Sequence, residues 1–177
     1  MPNLLVMRPC DAVETAECWQ LALESAKTPS ILVLTRQKTK ASRMTYSAKN
    51  LCAQGAYDIA PSAKKAKVVI FASGSEVEIA IEAKITLDKK GIPARVVSVP
   101  SMELFERQSK AYKASIMGTE KIRIAIEAGV KTGWEKFIGP EGHFIGMTSF
   151  GASAPAEVLY EKFGITAKAV VKAASSK

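Results

Sequence analysis

The sequence predicts an α/β fold: a three-layer α/β/α unit with a mostly parallel sheet, preceded by a strand–helix–strand remnant. Two observations predict it. Short, nearly continuous apolar runs alternate with longer segments of helical periodicity, the pattern of parallel strands joined by crossover helices. The runs are apolar at successive positions rather than every second one, as in strands covered on both faces.

The elements follow in order. Leu4-Leu5-Val6-Met7 reads as a buried strand ended by Arg8-Pro9. Asp11 then opens a helix, with Glu14 three residues on as a capping box. Val13, Ala16, Trp19, Leu21 and Leu23 are read as filling this helix, which ends near Ser25. Ser30-Ile31-Leu32-Val33-Leu34 is a second buried strand, parallel to the first by the default crossover. Two strands and one helix leave an uncovered face and open edges, too little for a domain. Residues 1–36 are therefore read as the end of a larger domain. Residues 37–55 are polar and weakly periodic and read as a linker, and 56–177 as a complete second domain.

In that second part, Tyr57 to Ile59 reads as a short edge strand and Val68 to Ala72 as a buried one. Ser75 and Glu78 have capping-box spacing, Val77, Ile81 and Ile85 recur every fourth residue, and Gly91 ends the helix. Ala94 to Val99 is the next strand, stopped by Pro100. Helical turns follow at 102–105 and 110–116, then a strand at Ile122 to Glu127. A short helix spans Trp134 to Ile138, and a last strand Phe144 to Met147. Ser153 is read as the cap of a helix over 155–163, with Pro155 in its first turn. Val158, Leu159 and Phe163 form its inward stripe, and Gly164-Ile165 its C-terminal stop. A helix over 167–174 ends the pattern.

Composition narrows the function classes. The 177 residues are 47% apolar and 24% charged, the balance of a globular chain with a core. A net charge of +8 favours an anionic partner. The lysines are scattered and aromatics are only 7%, without the basic–aromatic interleaving of nucleic-acid platforms. No apolar run is long enough for a membrane helix. Three cysteines without CxxC spacing argue against a disulfide framework or zinc site and for a cytoplasmic, reducing location. A single histidine, His143, has no metal-ligand neighbours and reads as a surface or strand-edge residue.

Several segments together resemble one family. They are Arg8-Pro9 with Asp11, Leu34-Thr35-Arg36-Gln37, Ala72-Ser73-Gly74-Ser75-Glu76-Val77 and Val96-Val97-Ser98-Val99-Pro100-Ser101. Ile126-Glu127-Ala128-Gly129 and Phe150-Gly151-Ala152-Ser153-Ala154-Pro155 complete the set. Each is weak alone; in this order, over nearly the whole chain, they resemble the C-terminal part of transketolases. The resemblance implies the tail of a pyrimidine-binding domain followed by the transketolase C-terminal domain. It implies a parent that moves a two-carbon ketol unit between sugar phosphates, using thiamine diphosphate with magnesium or calcium, as a homodimer in the pentose phosphate pathway. The family's Gly-Asp-Gly metal motif, cofactor-activating glutamate and substrate histidines have no counterpart in this sequence. The resemblance therefore implies no catalytic, cofactor-binding or metal-binding residue in this chain, and no ketol transfer by it alone.

Arg36 is the candidate site residue. It follows a strand at its C-terminal end, where open α/β sheets place ligands, and a guanidinium can clamp a phosphate bidentately. The residues alone favour a carboxylate-paired surface arginine. The resemblance assigns Arg36 to the substrate phosphate. Ser73-Gly74-Ser75 is either an anion-binding turn or, lacking the full G-x-G-x-x-G, a tight turn with a cap. Trp134 and Phe137 read as core or interface, and Cys10 and Cys18 as buried small apolar residues. Two other functions stay open: a fragment of a related thiamine-diphosphate enzyme such as dihydroxyacetone synthase, and a stand-alone interaction module.

Overall fold

The computed structural model describes residues 2–175. The first unit holds β1 (Leu5–Met7), α1 (Ala12–Glu24) and β2 (Ser30–Leu32). β1 and β2 pair in parallel as a sheet of their own. The face of α1 that turns inward differs from the sequence expectation. Glu14 and Cys18 are its buried residues, whereas Val13, Trp19 and Leu23 are exposed. The inward stripe runs through 14, 18, 21 and 22, the i, i+4, i+7, i+8 spacing of one helix face. The expected second strand is shorter and not buried either: Ile31 in β2, and Val33 and Leu34 just beyond it, are 48%, 41% and 53% exposed. No further strand or helix among the described residues covers it.

Residues 37–55 carry one element, a 3-10 turn at Cys52–Gln54. The segment is tied down by polar contacts that no local pattern encodes. Asp11 Oδ2 accepts from the backbone N–H groups of Ser42 and Arg43, and Arg43 pairs with Glu17 at 2.5 Å. Asn50 Nδ2 donates to Glu17 O, and Cys52 N donates to Glu17 Oε2.

The second unit is a five-stranded sheet. Its strands are β3 (Tyr57–Ala60), β4 (Val68–Ala72), β5 (Ala94–Ser98), β6 (Ile122–Ile126) and β7 (His143–Ile145), in the order β3-β5-β4-β6-β7. Only β3, at the edge, is antiparallel. Alternate residues of β4 feed the two faces. Val68, Ile70 and Ala72 point to one core with α2 (Glu76–Lys89) and α7 (Ala167–Ser175). Val69 and Phe71 point to the other, which includes α3 (Met102–Glu106), α4 (Lys110–Met117) and α5 (Glu135–Ile138). The α/β/α layering follows from runs buried on both sides. Trp134 and Phe137 are core: Phe137 lies 5.4 Å from the Phe71 and Phe105 rings and 5.6 Å from Trp134.

Three local expectations change. Ser75 has helical φ and ψ and makes no cap bond; its hydroxyl goes to Glu76 and Tyr160, while Glu78 pairs with Lys40. α2 buries Val77, Ala80, Ala83 and Leu87, and Ile85 is 49% exposed. α6 (Ala156–Phe163) is capped by the backbone of Pro155, not by Ser153, and has no buried residue; Val158 is 55% exposed. Its C-terminal stop is as expected: Gly164 is left-handed, Ile165 N donates to Tyr160 O, and Ile165 is buried. Among the described residues, no helix is long and apolar enough to cross a membrane.

Candidate functional site

Two places at the C-terminal ends of parallel strands concentrate chemistry. The first is the turn after β2. Arg36 lies four residues beyond Leu32, fully in the open, with no ion pair or side-chain hydrogen bond among the described residues. Among the described residues, no carboxylate pairs with the guanidinium. The segment that follows is anchored. Lys40 Nζ pairs with Glu78 of α2 at 2.5 Å, and Gln37 lines a mostly apolar cleft of about 260 Å³ with Tyr160, Leu159 and Phe163 of α6. A free cation on an anchored turn can take a dianion such as a phosphate monoester.

The second place is the crevice at the switch point of the larger sheet. The chain leaves β4 for β5 on one side and then β6 on the other, so the loops after β4 and β6 part there. Ser73 and Glu127 are the first residues of those loops. A cleft of about 380 Å³ opens beside them, lined also by Arg8, Ser101 and Trp134. Arg8, delivered by the first unit, fills the position a ligand would take. Its Nη2 is 2.5 Å from Glu127 Oε1 and 3.9 Å from Glu76 Oε2. Its backbone oxygen accepts from Gly74 N, and its N–H donates to Pro100 O. Ser73 Oγ donates to Glu127 Oε2 at 2.6 Å, and Tyr160 OH donates to Glu76 Oε1 at 2.5 Å.

This arrangement removes the anion-binding reading of Ser73-Gly74-Ser75. The Gly74 N–H is already taken, and two buried carboxyls stand where an anion would approach. Burial, reinforced by the neighbouring Glu76 charge, pushes the Glu127 carboxyl up to about 8. Burial also raises the Tyr160 hydroxyl well above the ordinary tyrosine range.

A third carboxyl, Glu14, joins the two units. It is fully buried and accepts from Cys10 N, Tyr57 OH and Ser98 Oγ at 2.7, 2.8 and 2.6 Å. Half of the expected capping box forms, Asp11 Oδ1 accepting from Glu14 N, but the reciprocal bond goes to Cys10 N instead of Asp11 N. Burial raises the Glu14 pKa. The sequence signal that could have found Glu14 and Glu127 is the same in both: a carboxyl adjoining apolar positions.

His143 is exposed at the start of β7. Cys10, Cys18 and Cys52 are buried free thiols, and burial pushes Cys10 upward, away from nucleophilic use. Among the described residues, no group of three or more His, Cys, Asp or Glu side chains could hold a metal. Two of the buried carboxyls are consumed internally, Glu14 by three donors and Glu127 by Arg8 and Ser73.

Comparison with known proteins places this geometry. The transketolase-like TK C-terminal domain model matches residues 55–166, and the transketolase pyrimidine-binding domain model matches residues 1–41. The chain is 46% identical to the transketolase of Cereibacter sphaeroides over 177 residues, covering 100% of this chain and 27% of that protein. It is 50% identical to the transketolase of Sinorhizobium medicae, covering 96% of this chain and 24% of that protein. Among solved structures, the transketolase from Leishmania mexicana superposes with a TM-score of 0.85 at 40% identity, over 97% of this chain and 25% of that one. A Pichia stipitis transketolase in complex with sedoheptulose-7-phosphate gives 0.88 at 34% identity, over 98% and 25%. The chain thus spans about a quarter of the length of the relatives it matches. On these matches, and with the fold they share, the chain belongs to the transketolase family.

Proposed function

We propose that this chain supplies the phosphate-binding arm and the C-terminal domain of a transketolase. The parent moves a two-carbon ketol unit from a ketose phosphate to an aldose phosphate, with thiamine diphosphate and magnesium or calcium held by parts that this chain does not carry. Residues 1–36 belong to the pyrimidine-binding domain, 37–55 join the two, and 56–177 are the C-terminal domain. Arg36 binds the substrate phosphate, the parent is a homodimer, and the chain alone transfers no ketol groups. Its three reduced thiols suit the cytoplasm.

The observation that carries this reading is Arg36 itself, an unpaired guanidinium on an anchored turn at a C-terminal strand end, in a chain of this family. The exposed apolar residues Ile31, Val33 and Leu34 fit a surface covered by the rest of a pyrimidine-binding domain or by a partner subunit.

The test is kinetic. In the full-length protein, Arg36→Ala should raise KM for phosphorylated donor and acceptor sugars, a loss of about 1.5–3 kcal/mol for a hydrogen bond to a charged group. An unphosphorylated donor should lose little. Equal losses with both donors, or unchanged kinetics with the phosphorylated pair, would remove Arg36 from the phosphate site.

A further inference from the structure

The crevice cluster is unbalanced in charge and in hydrogen bonds. Glu76 is 1% exposed and Glu127 is 4% exposed, and only one guanidinium, that of Arg8, faces them. Every other group that reaches the pair is neutral: Ser73 after β4, Ser75 at the head of α2 and Tyr160 on α6. Glu76 Oε1 has two donors, whereas Glu76 Oε2 is buried and has no hydrogen-bond partner. Arg8 Nη2, at 3.9 Å, is too far to donate to it. A buried carboxylate oxygen left unbonded is costly, and two adjacent buried carboxylates against one cation leave an uncompensated charge.

One proton resolves both defects. We propose that Glu127 keeps a proton beside Glu76 and Arg8, so that the crevice is a proton-held clasp fastening the first unit to the C-terminal domain. The proton is drawn from water, rests on the Glu127 carboxyl, and leaves one negative charge at the cluster to pair with Arg8. The upward displacement of Glu127 to about 8 agrees with this. Loss of the proton restores two adjacent negative charges and loosens the clasp. Arg8 is the contact released, because it alone enters from the other unit.

The sign is fixed by linkage. The folded chain holds a proton that the unfolded chain gives up above the ordinary value of 4.5. Stability contributed by the pair is therefore complete below 4.5 and falls as pH rises, until it is lost near 8. One retained proton lowers the folding constant about tenfold per pH unit across that window. Glu14 is pushed in the same direction but is bonded elsewhere, so its contribution persists when the clasp is altered.

The experiment is denaturant unfolding of the full chain across this pH window, for the natural sequence, Glu127→Gln and Glu76→Gln. Glu127→Gln removes the protonated carboxyl and should flatten the slope by one proton, and Glu76→Gln removes the neighbouring charge and should move the fall in stability to lower pH. Difference infrared spectroscopy adds a readout that does not depend on stability. The natural chain should show a protonated carboxyl band at neutral pH that disappears as pH passes about 8; Glu127→Gln should lack it, and Glu76→Gln should lose it at lower pH. If either variant fails to fold, the band of the natural chain and its titration still decide. Unchanged slopes in both variants, or no protonated carboxyl band titrating near 8 in the natural chain, would overturn the proposal.

Discussion

Gly55→Ala should destabilise the chain by about 3–5 kcal/mol, combining backbone strain with overpacking. Gly55 ends the 3-10 turn with φ +75° and enters β3 directly beneath α3. An added Cβ would lie against Phe105 N, 2.5 Å from Ser101 O and 2.6 Å from Leu104 C. All three are backbone atoms, so no side-chain rotation relieves the clash. Ser101 N also donates to Gly55 O, so the two segments cannot separate without losing that bond. Gly91 provides the control. Its φ is +73°, yet nothing lies within 4 Å of its Cβ position. Gly91→Ala should cost only the left-handed strain, about 1–2 kcal/mol. Thermal or denaturant unfolding of both variants checks the contrast, and equal losses would mean that conformation rather than close packing dominates at Gly55.

Glu14→Ala should cost about 3–6 kcal/mol, because three buried donors lose their acceptor at about 1–3 kcal/mol each. Cys10 N, Tyr57 OH and Ser98 Oγ all converge on this carboxyl from different segments. The damage should fall at the junction of the units, read as faster proteolysis of the first fifty or so residues. Glu14→Gln should be much milder. The amide oxygen can face Cys10 N, which can only donate, and its NH2 can face the two hydroxyls, which can turn to accept. A Gln variant as unstable as the Ala variant would show that negative charge, not hydrogen bonding, is what the site requires.

Much of the fold was legible in local sequence. β4, β5 and β6 declared themselves as apolar runs, and Gly91, Pro100 and Gly164 marked where elements stop. What failed was any judgement that needed a partner from elsewhere. Ser75 and Ser153 have the right residue type for caps, but Ser75 is drawn to Tyr160, 85 positions away, and the backbone of Pro155 serves in place of Ser153. The buried face of α1 was misread because its anchor is a carboxyl. Hydrophobic periodicity cannot flag Glu14 as core when its bonding partners are Tyr57 and Ser98.

The candidate site shows the same division. Arg36 was readable because it stands in a short local motif. Arg8, Ser73, Glu76, Glu127 and Tyr160 each fell in or near segments of interest, yet their convergence at one sheet end depends on the crossover topology. That convergence also leaves the turn after β4 facing the chain's own arginine and carboxyls.

On the proposed function, this chain carries the substrate-phosphate arm of its family, and the cofactor is held elsewhere. Calorimetric titration of thiamine diphosphate with magnesium into the purified chain tests it most directly. No saturable heat is expected, since Glu14 and Glu127 are bonded internally and no metal-binding cluster exists among the described residues. Saturable micromolar binding would contradict it and return the catalytic centre to this chain.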